Sequence, residues 1–140
     1  MVPRKRLCKA RQEILVQSYS FTSKPIAKAL IDAKKRGVKI DTVLDKSNAT
    51  AKYSAATFLY NAGIPVLIDD NHAIAHNKIM IIDRQILITG SFNFTAAAEN
   101  KNAENLLVIK GNQKLTDQYM VLSIQLNCGI KTMVHSTAST

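Results

Sequence analysis

Residues 76 to 93 read H-N-K-I-M-I-I-D-R-Q-I-L-I-T-G-S-F-N, a stretch that follows the pattern H-x-K-x4-D-x6-G-S-x-N and is the most informative part of the sequence. His76 and Lys78 begin an apolar run, which predicts a strand that points both side chains to one face of a sheet. The rest of the stretch supplies an acid and then a glycine turn with a hydroxyl and an amide: Asp83, Gly90, Ser91 and Asn93. A nucleophile, a cation and neutral donors are together what attack on a phosphodiester requires.

Each residue of this stretch suits a distinct task at a phosphate group. Histidine can be neutral or protonated near pH 7, so His76 can attack phosphorus or carry a proton. Lys78 provides a fixed positive charge for a non-bridging phosphate oxygen. Asn93 and Ser91 can donate hydrogen bonds, and Gly90 lets the backbone turn sharply. We therefore expect His76, Lys78 and Asn93 to be catalytic, with Gly90 and Ser91 in support.

The composition indicates a single globular domain, residues 1–140, with a polyanionic partner. The chain has 140 residues, of which 46% are hydrophobic, and no apolar run is long enough for a transmembrane segment. The 19 basic residues against 10 acidic ones give a net charge of +9. This excess favours nucleic acid or an anionic membrane surface as the partner.

The remaining cysteines and histidines suggest no further site. Cys8 and Cys128 lie near opposite ends without metal-ligand spacing, so we expect unpaired thiols, although a disulfide between them stays open. His72 and His135 have no partner at the spacing of the motif, and we assign them no role. No apolar segment follows the basic residues 1–11, so the sequence as written lacks a complete signal peptide and would be cytoplasmic.

The apolar periodicity predicts an α/β domain. Two strand–helix–strand units precede the motif, which indicates a mixed, mainly parallel sheet sandwiched between helices. A polar loop is expected at 45–50, and Asp83-Arg84 is expected to form a hairpin turn. Strands are predicted at 13–21, 38–44, 64–68, 74–82, 86–89 and 104–109. Helices are predicted at 25–37, 51–61 and 113–126, the last with Leu115, Tyr119, Leu122 and Leu126 on one face.

The motif resembles the HKD signature of the phospholipase D superfamily, in particular that of its small, single-motif bacterial endonucleases. Further matches are Y-S-F-T at 19–22, K-A-L-I-D-A-K-K-R-G-V at 28–38, N-A-G-I-P at 61–65, and G-S-F-N-F-T with N-A-E-N at 90–105. The resemblance covers residues 11–120 and implies the phospholipase D/nuclease fold. It also implies a further strand and most of a helix before Glu13. We therefore expect a truncated start and a diverged tail at 121–140.

The resemblance implies a mechanism with two histidines. One attacks phosphorus to give a phosphohistidine, and the other protonates the leaving oxygen and then activates water. Because the chain holds one H-x-K, it implies a homodimer with a shared active site. Glu104 would orient His76 and Asp83 would support the structure. No metal or other cofactor is implied, since Lys78 and Asn93 of both copies would neutralise the charge.

We accordingly expect a metal-independent phosphodiesterase, an endonuclease that cleaves DNA, and RNA as a further substrate, with little sequence preference. Two alternatives stay open. The first is a phospholipase D that acts on phospholipid headgroups, which the positive charge also suits, although no amphipathic insertion segment is evident. The second is a catalytically defective DNA-binding remnant, which the abnormal ends favour and the intact motif opposes. Relatives of this size are often periplasmic or exported, which leaves the location unknown.

Overall fold

A seven-stranded sheet forms the middle layer of the structure, a computed structural model that describes residues 1–127 and 131–132. The strands are β1 (Glu13–Ser18), β2 (Lys39–Asp45), β3 (Val66–Asp69), β4 (Lys78–Ile82), β5 (Ile86–Gly90), β6 (Leu106–Lys110) and β7 (Lys131–Thr132). The helices are α1 (Val2–Leu7), α2 (Lys24–Lys35), α3 (Ser47–Thr50), α4 (Ala56–Asn61), α5 (Ala96–Asn100) and α6 (Gln113–Asn127). Across the sheet the strand order is β6-β5-β4-β1-β2-β3-β7.

The predicted α/β fold with a mixed sheet between helices is confirmed, but parallel pairing is less extensive than expected. Strands β1, β2 and β3 pair in parallel, whereas β4, β5, β6 and β7 pair antiparallel with their neighbours. The reason is the loop 70–77, which enters β4 at the same edge of the sheet where β3 ends. Strand β4 must therefore run in the opposite direction. A hairpin turn joins it to β5, and residues 91–105, which include α5, lead on to antiparallel β6.

Apolar side chains alternate between the two faces of the sheet and build a core on each side. On one face Val16 and Met80 pack with Leu30 of α2, in a large cluster that also includes residues of α1 and α4. On the other face Leu15 and Ile81 pack against α6. The predicted apolar face of α6 is confirmed for Leu115 and Tyr119, while the side chains of Leu122 and Leu126 lie outside the described residues.

Several predicted boundaries are wrong. Strand β1 ends at Ser18, α4 begins at residue 56 and not 51, and β4 begins at Lys78 and not at residue 74. The predicted loop 45–50 contains the short helix α3, and α1 was not predicted at all. The diverged tail falls largely outside the described residues, as do Cys128 and His135. Cys8 is exposed at the end of α1, so its pairing stays untested.

Asp83 ties the start of β1 to the end of β4. Its carboxylate accepts hydrogen bonds of 2.7–3.2 Å from the backbone N–H groups of Arg11, Gln12 and Glu13. The predicted hairpin turn is confirmed, because Gln85 N–H donates to the carbonyl oxygen of Ile82 and both central residues have positive φ. Asp83 therefore anchors the backbone at the edge of the sheet opposite to the start of β4.

Replacing Asp83 with alanine should lower the free energy of unfolding by about 1–3 kcal/mol, because three backbone donors lose a charged acceptor. Urea denaturation would measure the change. Asp41→Ala is the matched control, since Asp41 only forms an exposed ion pair of 3.8 Å with Lys39 and should cost less than about 1 kcal/mol. Equal losses in the two variants would contradict the anchoring role.

Candidate active site

Most of the predicted site residues lie at one edge of the sheet, where the three parallel strands end. At this edge Ser18 of β1 pairs with Lys78, and Gly90 of β5 pairs with Leu106. The loop after β5 is joined to the segment after β1, since the rings of Phe21 and Phe94 pack edge to face at 5.9 Å. The carboxyl edge of parallel strands is the usual place for a ligand site in α/β proteins.

His76 and Lys78 meet at the ring of Tyr19. His76 is exposed in the loop before β4, so the prediction that it lies within the strand is wrong. Its ring centroid is 4.7 Å from that of Tyr19. Lys78 is only 7% exposed; its Nζ donates to the backbone oxygen of His76 at 2.7 Å and lies 5.4 Å from the Tyr19 centroid. An exposed imidazole ring and a buried cation thus share one aromatic neighbour.

The charge of Lys78 is only partly compensated. Burial lowers the pKa of Lys78, and the negative charge of Glu104 acts in the opposite direction. Removal from water destabilises an ammonium group, so a further anion beside it would be bound favourably. The position of Lys78 therefore suits an anion as its neighbour.

Glu104 belongs to a network with Ser91. Its carboxylate accepts hydrogen bonds from the Ser91 hydroxyl at 2.5 Å and from the Asn102 amide at 3.0 Å. These two bonds, with a contribution from the charge of Lys78, hold the pKa of Glu104 below its ordinary value against the opposing effect of desolvation. Among the bonds of the described residues, none joins Glu104 to His76, so the expected orienting contact is not seen.

Gly90 and Asn93 shape the loop after β5. A Cβ atom at Gly90 would lie 2.0 Å from the backbone oxygen of Asn105, so no other residue fits this close approach. The Ser91 hydroxyl also accepts a hydrogen bond from the N–H of Asn105 at 2.9 Å. Asn93 Oδ1 is buried without a hydrogen-bond partner among the described residues. This oxygen can therefore accept a hydrogen bond from a donor that enters the site, whereas only the Nδ2 of the same amide could donate to a phosphate oxygen.

Asp45 and Asn48 position the two segments that carry the site, and the sequence analysis gave neither a role. Asp45 is buried and accepts the backbone N–H of Ala75, the neighbour of His76, at 2.8 Å. Burial alone would raise the pKa of Asp45, but hydrogen bonds from Ser47 and Ala75 outweigh it and lower the pKa. The Asn48 amide donates to the backbone oxygen of Tyr19 at 2.6 Å.

His72 has a partner after all. Its Nδ1 lies 2.8 Å from a carboxylate oxygen of Asp69, which is fully buried and also accepts the backbone N–H groups of Asn71 and His72. Lys46 Nζ donates to the backbone oxygen of His72 at 3.2 Å. These bonds hold the loop that leads to His76, so His72 has a structural role.

Asp83 is the one predicted site residue that lies apart, at the other end of β4.

The described residues include no group of three or more histidine, cysteine or acidic side chains arranged to hold a metal ion. Within the same residues, no helix is both long and apolar enough to cross a membrane.

Comparison with known proteins decides the family. A domain-family model described as "Cardiolipin synthase, PLD-like domain" matches residues 4–122. The chain belongs to the phospholipase D superfamily. The resemblance inferred from the HKD motif is thereby confirmed. The chain is 47% identical over 112 residues to a phospholipase D of Rickettsia conorii, a match that covers 80% of this chain and 56% of that relative.

Two further members of the superfamily are similar to this chain. It is 32% identical over 107 residues to the mitochondrial cardiolipin hydrolase of Homo sapiens, covering 76% of this chain and 42% of that protein. The crystal structure of Nuc from Salmonella typhimurium, a phospholipase D family member, superposes with a TM-score of 0.90 at 37% identity, over 96% of this chain and 90% of that one. The phospholipase D/nuclease fold is therefore confirmed, and the chain spans about half the length of the two relatives matched by sequence.

Proposed function

We propose that the protein is a metal-independent phosphodiesterase that hydrolyses DNA, and RNA as a further substrate, with little sequence preference. The observation that carries this proposal is the meeting of His76 with the buried, incompletely compensated cation of Lys78 at the ligand-binding edge of the sheet. Both groups lie beside Tyr19, with His76 exposed to an incoming substrate. The net charge of +9 supports a polyanionic substrate.

The proposed reaction has two steps. In the first, the imidazole of His76 forms a bond to phosphorus while the bond to the leaving oxygen breaks, and that oxygen takes a proton from a second histidine. In the second, water attacks phosphorus after giving a proton to that second histidine, and His76 is released. Lys78 and Asn93 stabilise the charge on the non-bridging oxygens in both steps.

We propose that the second histidine comes from another copy of the chain, as the resemblance to the single-motif endonucleases implies. Within the described residues the other histidine, His72, is bonded to Asp69. Because His76 is exposed, a second copy can bring its own His76 to the same phosphate across a two-fold axis. We therefore propose a homodimer with a shared active site.

A phospholipase D activity on phospholipid headgroups is the second candidate. It is favoured by the names of two relatives, a phospholipase D and a cardiolipin hydrolase. The reaction would use the same groups, because the scissile bond is again a phosphodiester. A catalytically defective DNA-binding protein is the third candidate.

Hydrolysis measured in EDTA distinguishes these candidates. We expect the protein to nick supercoiled plasmid at an unchanged rate when EDTA is added, because Lys78 and Asn93 neutralise the phosphate charge. Vesicles of phosphatidylcholine and of cardiolipin are the parallel substrates. Loss of nicking in EDTA would contradict metal independence, faster hydrolysis of lipid would favour the second candidate, and binding of plasmid without cleavage would favour the third.

A further inference from the structure

The segment between α3 and α4, which is hydrogen-bonded to the segment after β1, carries an aromatic side chain that the proposed reaction does not use. Tyr53 lies between α3 and α4 and is 75% exposed. The Nζ atom of Lys52 lies 5.4 Å from the centroid of its ring. A single exposed tyrosine is common on protein surfaces, so exposure alone implies nothing. Tyr53 is of interest because hydrogen bonds join its segment to the segment that carries Tyr19.

Asn48 links the Tyr53 segment to the site. Its buried side-chain amide bonds to both segments: Oδ1 accepts from the Ser54 hydroxyl at 3.3 Å and from the N–H of Phe21 at 3.2 Å, and Nδ2 donates to the backbone oxygen of Tyr19 at 2.6 Å. A second bond, from the N–H of Ala55 to the backbone oxygen of Phe21 at 2.8 Å, runs beside it. Tyr53 therefore stands next to a segment fixed to Tyr19, whose ring contacts His76.

The surroundings of Tyr53 indicate what could bind there. Its chain neighbours are Lys52 and Ser54, and Lys46 is exposed directly after the end of β2. A flat ring beside cations, next to a phosphate site, is the combination by which proteins hold single-stranded nucleic acid. A membrane-inserting segment would instead need several adjacent apolar side chains, and Tyr53 has a charged and a polar neighbour.

We propose that Tyr53, assisted by Lys52, stacks on a base close to the scissile phosphate and makes single-stranded nucleic acid the preferred substrate. This inference rests on the proposed function. In a duplex each base is already stacked and paired, so the ring could be reached only at the cost of unstacking. In a single strand an unpaired base can lie on the ring of Tyr53, while the ammonium group of Lys52 meets the neighbouring phosphate.

Steady-state cleavage of a single-stranded oligonucleotide and of a hairpin duplex tests the inference. In Tyr53→Leu, which keeps apolar volume but not a flat ring, KM for the single strand should rise about 5- to 150-fold, the equivalent of the roughly 1–3 kcal/mol that stacking of one base contributes. Cleavage of the duplex should be unchanged. Tyr53→Phe keeps the ring and should behave as the wild type.

Two further measurements make the result decisive. Hydrolysis of bis(p-nitrophenyl) phosphate, which contains no nucleobase, should be equal in all variants, and its absence in the wild type would count against the proposed function alone. Binding of the oligonucleotide, followed by fluorescence anisotropy, should weaken in Tyr53→Leu whether or not cleavage occurs. Equal effects on single strand and duplex, no effect on either, or an effect confined to phospholipid vesicles would overturn the inference.

Discussion

Replacing His76 with alanine is expected to lower kcat for nucleic acid cleavage by about 10⁴-fold or more, since no other group can form the bond to phosphorus. Because His76 is exposed and its ring contacts only Tyr19 among the described aromatic residues, the free energy of unfolding should change by less than about 1 kcal/mol. Plasmid nicking and single-turnover cleavage of an oligonucleotide, both in EDTA, would measure the loss.

His72→Gln is the matched control for His76→Ala. Both histidines lie on the loop that leads into β4, but the His72 ring is bonded to Asp69 and not to the Tyr19 cluster. We expect this variant to keep activity within about tenfold of the wild type, because an interaction that holds a loop contributes less than the nucleophile itself. If His76→Ala retained activity similar to that of His72→Gln, the proposed nucleophile would be wrong.

Mixing the wild-type protein with the His76→Ala variant should lower the cleavage activity of the wild-type chains, because a shared site needs a histidine from each copy. After subunit exchange with a ninefold excess of the variant, about a tenth of the wild-type chains would still be paired with each other, so activity should fall to about a tenth. A chain that acted as a monomer would lose nothing. The experiment therefore tests the dimer through its chemistry.

The mixing experiment needs controls for competition and assembly. The variant keeps the basic surface, so the substrate must be in large excess over protein to prevent sequestration. Mixing the two proteins immediately before the assay, without time for exchange, provides the reference activity. Sedimentation at the assay concentration would measure the oligomeric state, and a fully active monomer there would contradict the shared site.

The local sequence pattern was sufficient for the sheet, the main helices and the likeness to the HKD family. The alternation of apolar residues placed β2 and β5 close to their observed positions, and the helix predicted at 25–37 lies close to α2. Ser23 caps the N-terminus of α2, and Gly37, with φ of 91°, follows its end. These features depend on residues a few positions apart, which a sequence displays directly.

The start of β4 was predicted wrongly because distant residues determine it. Apolar residues 74 and 75 extend the strand pattern, but buried Asp45 takes the N–H of Ala75 and fully buried Asp69 holds the N–H groups of Asn71 and His72. These bonds keep the segment off the sheet and leave His76 in a loop. Nothing in the local pattern shows that a carboxylate thirty positions earlier will compete with the sheet for a backbone donor.

The candidate site shows the same contrast between features that a local pattern reveals and features that depend on distant residues. His76, Lys78, Ser91 and Asn93 could be selected from the motif and Glu104 from the family resemblance, and the fold brings these residues to one edge of the sheet. Tyr19 could not, although it lies in the Y-S-F-T segment, because its importance comes from two contacts across the chain. The pairing of Glu104 with Ser91 was equally invisible, since both residues are polar and commonplace in loops.

Lys78 Nζ donates its hydrogen bond to the backbone oxygen of His76, so the position of the cation does not depend on the His76 side chain. In the proposed mechanism, substrate binding and substrate cleavage would therefore be lost separately. A backbone oxygen is present whatever side chain occupies position 76, so removal of the imidazole leaves the lysine where it was. A chain without its nucleophile would then retain intact whatever phosphodiester it prefers. Such a chain is a trap, and the molecules recovered from it would identify the natural substrate without any assumption about its chemistry.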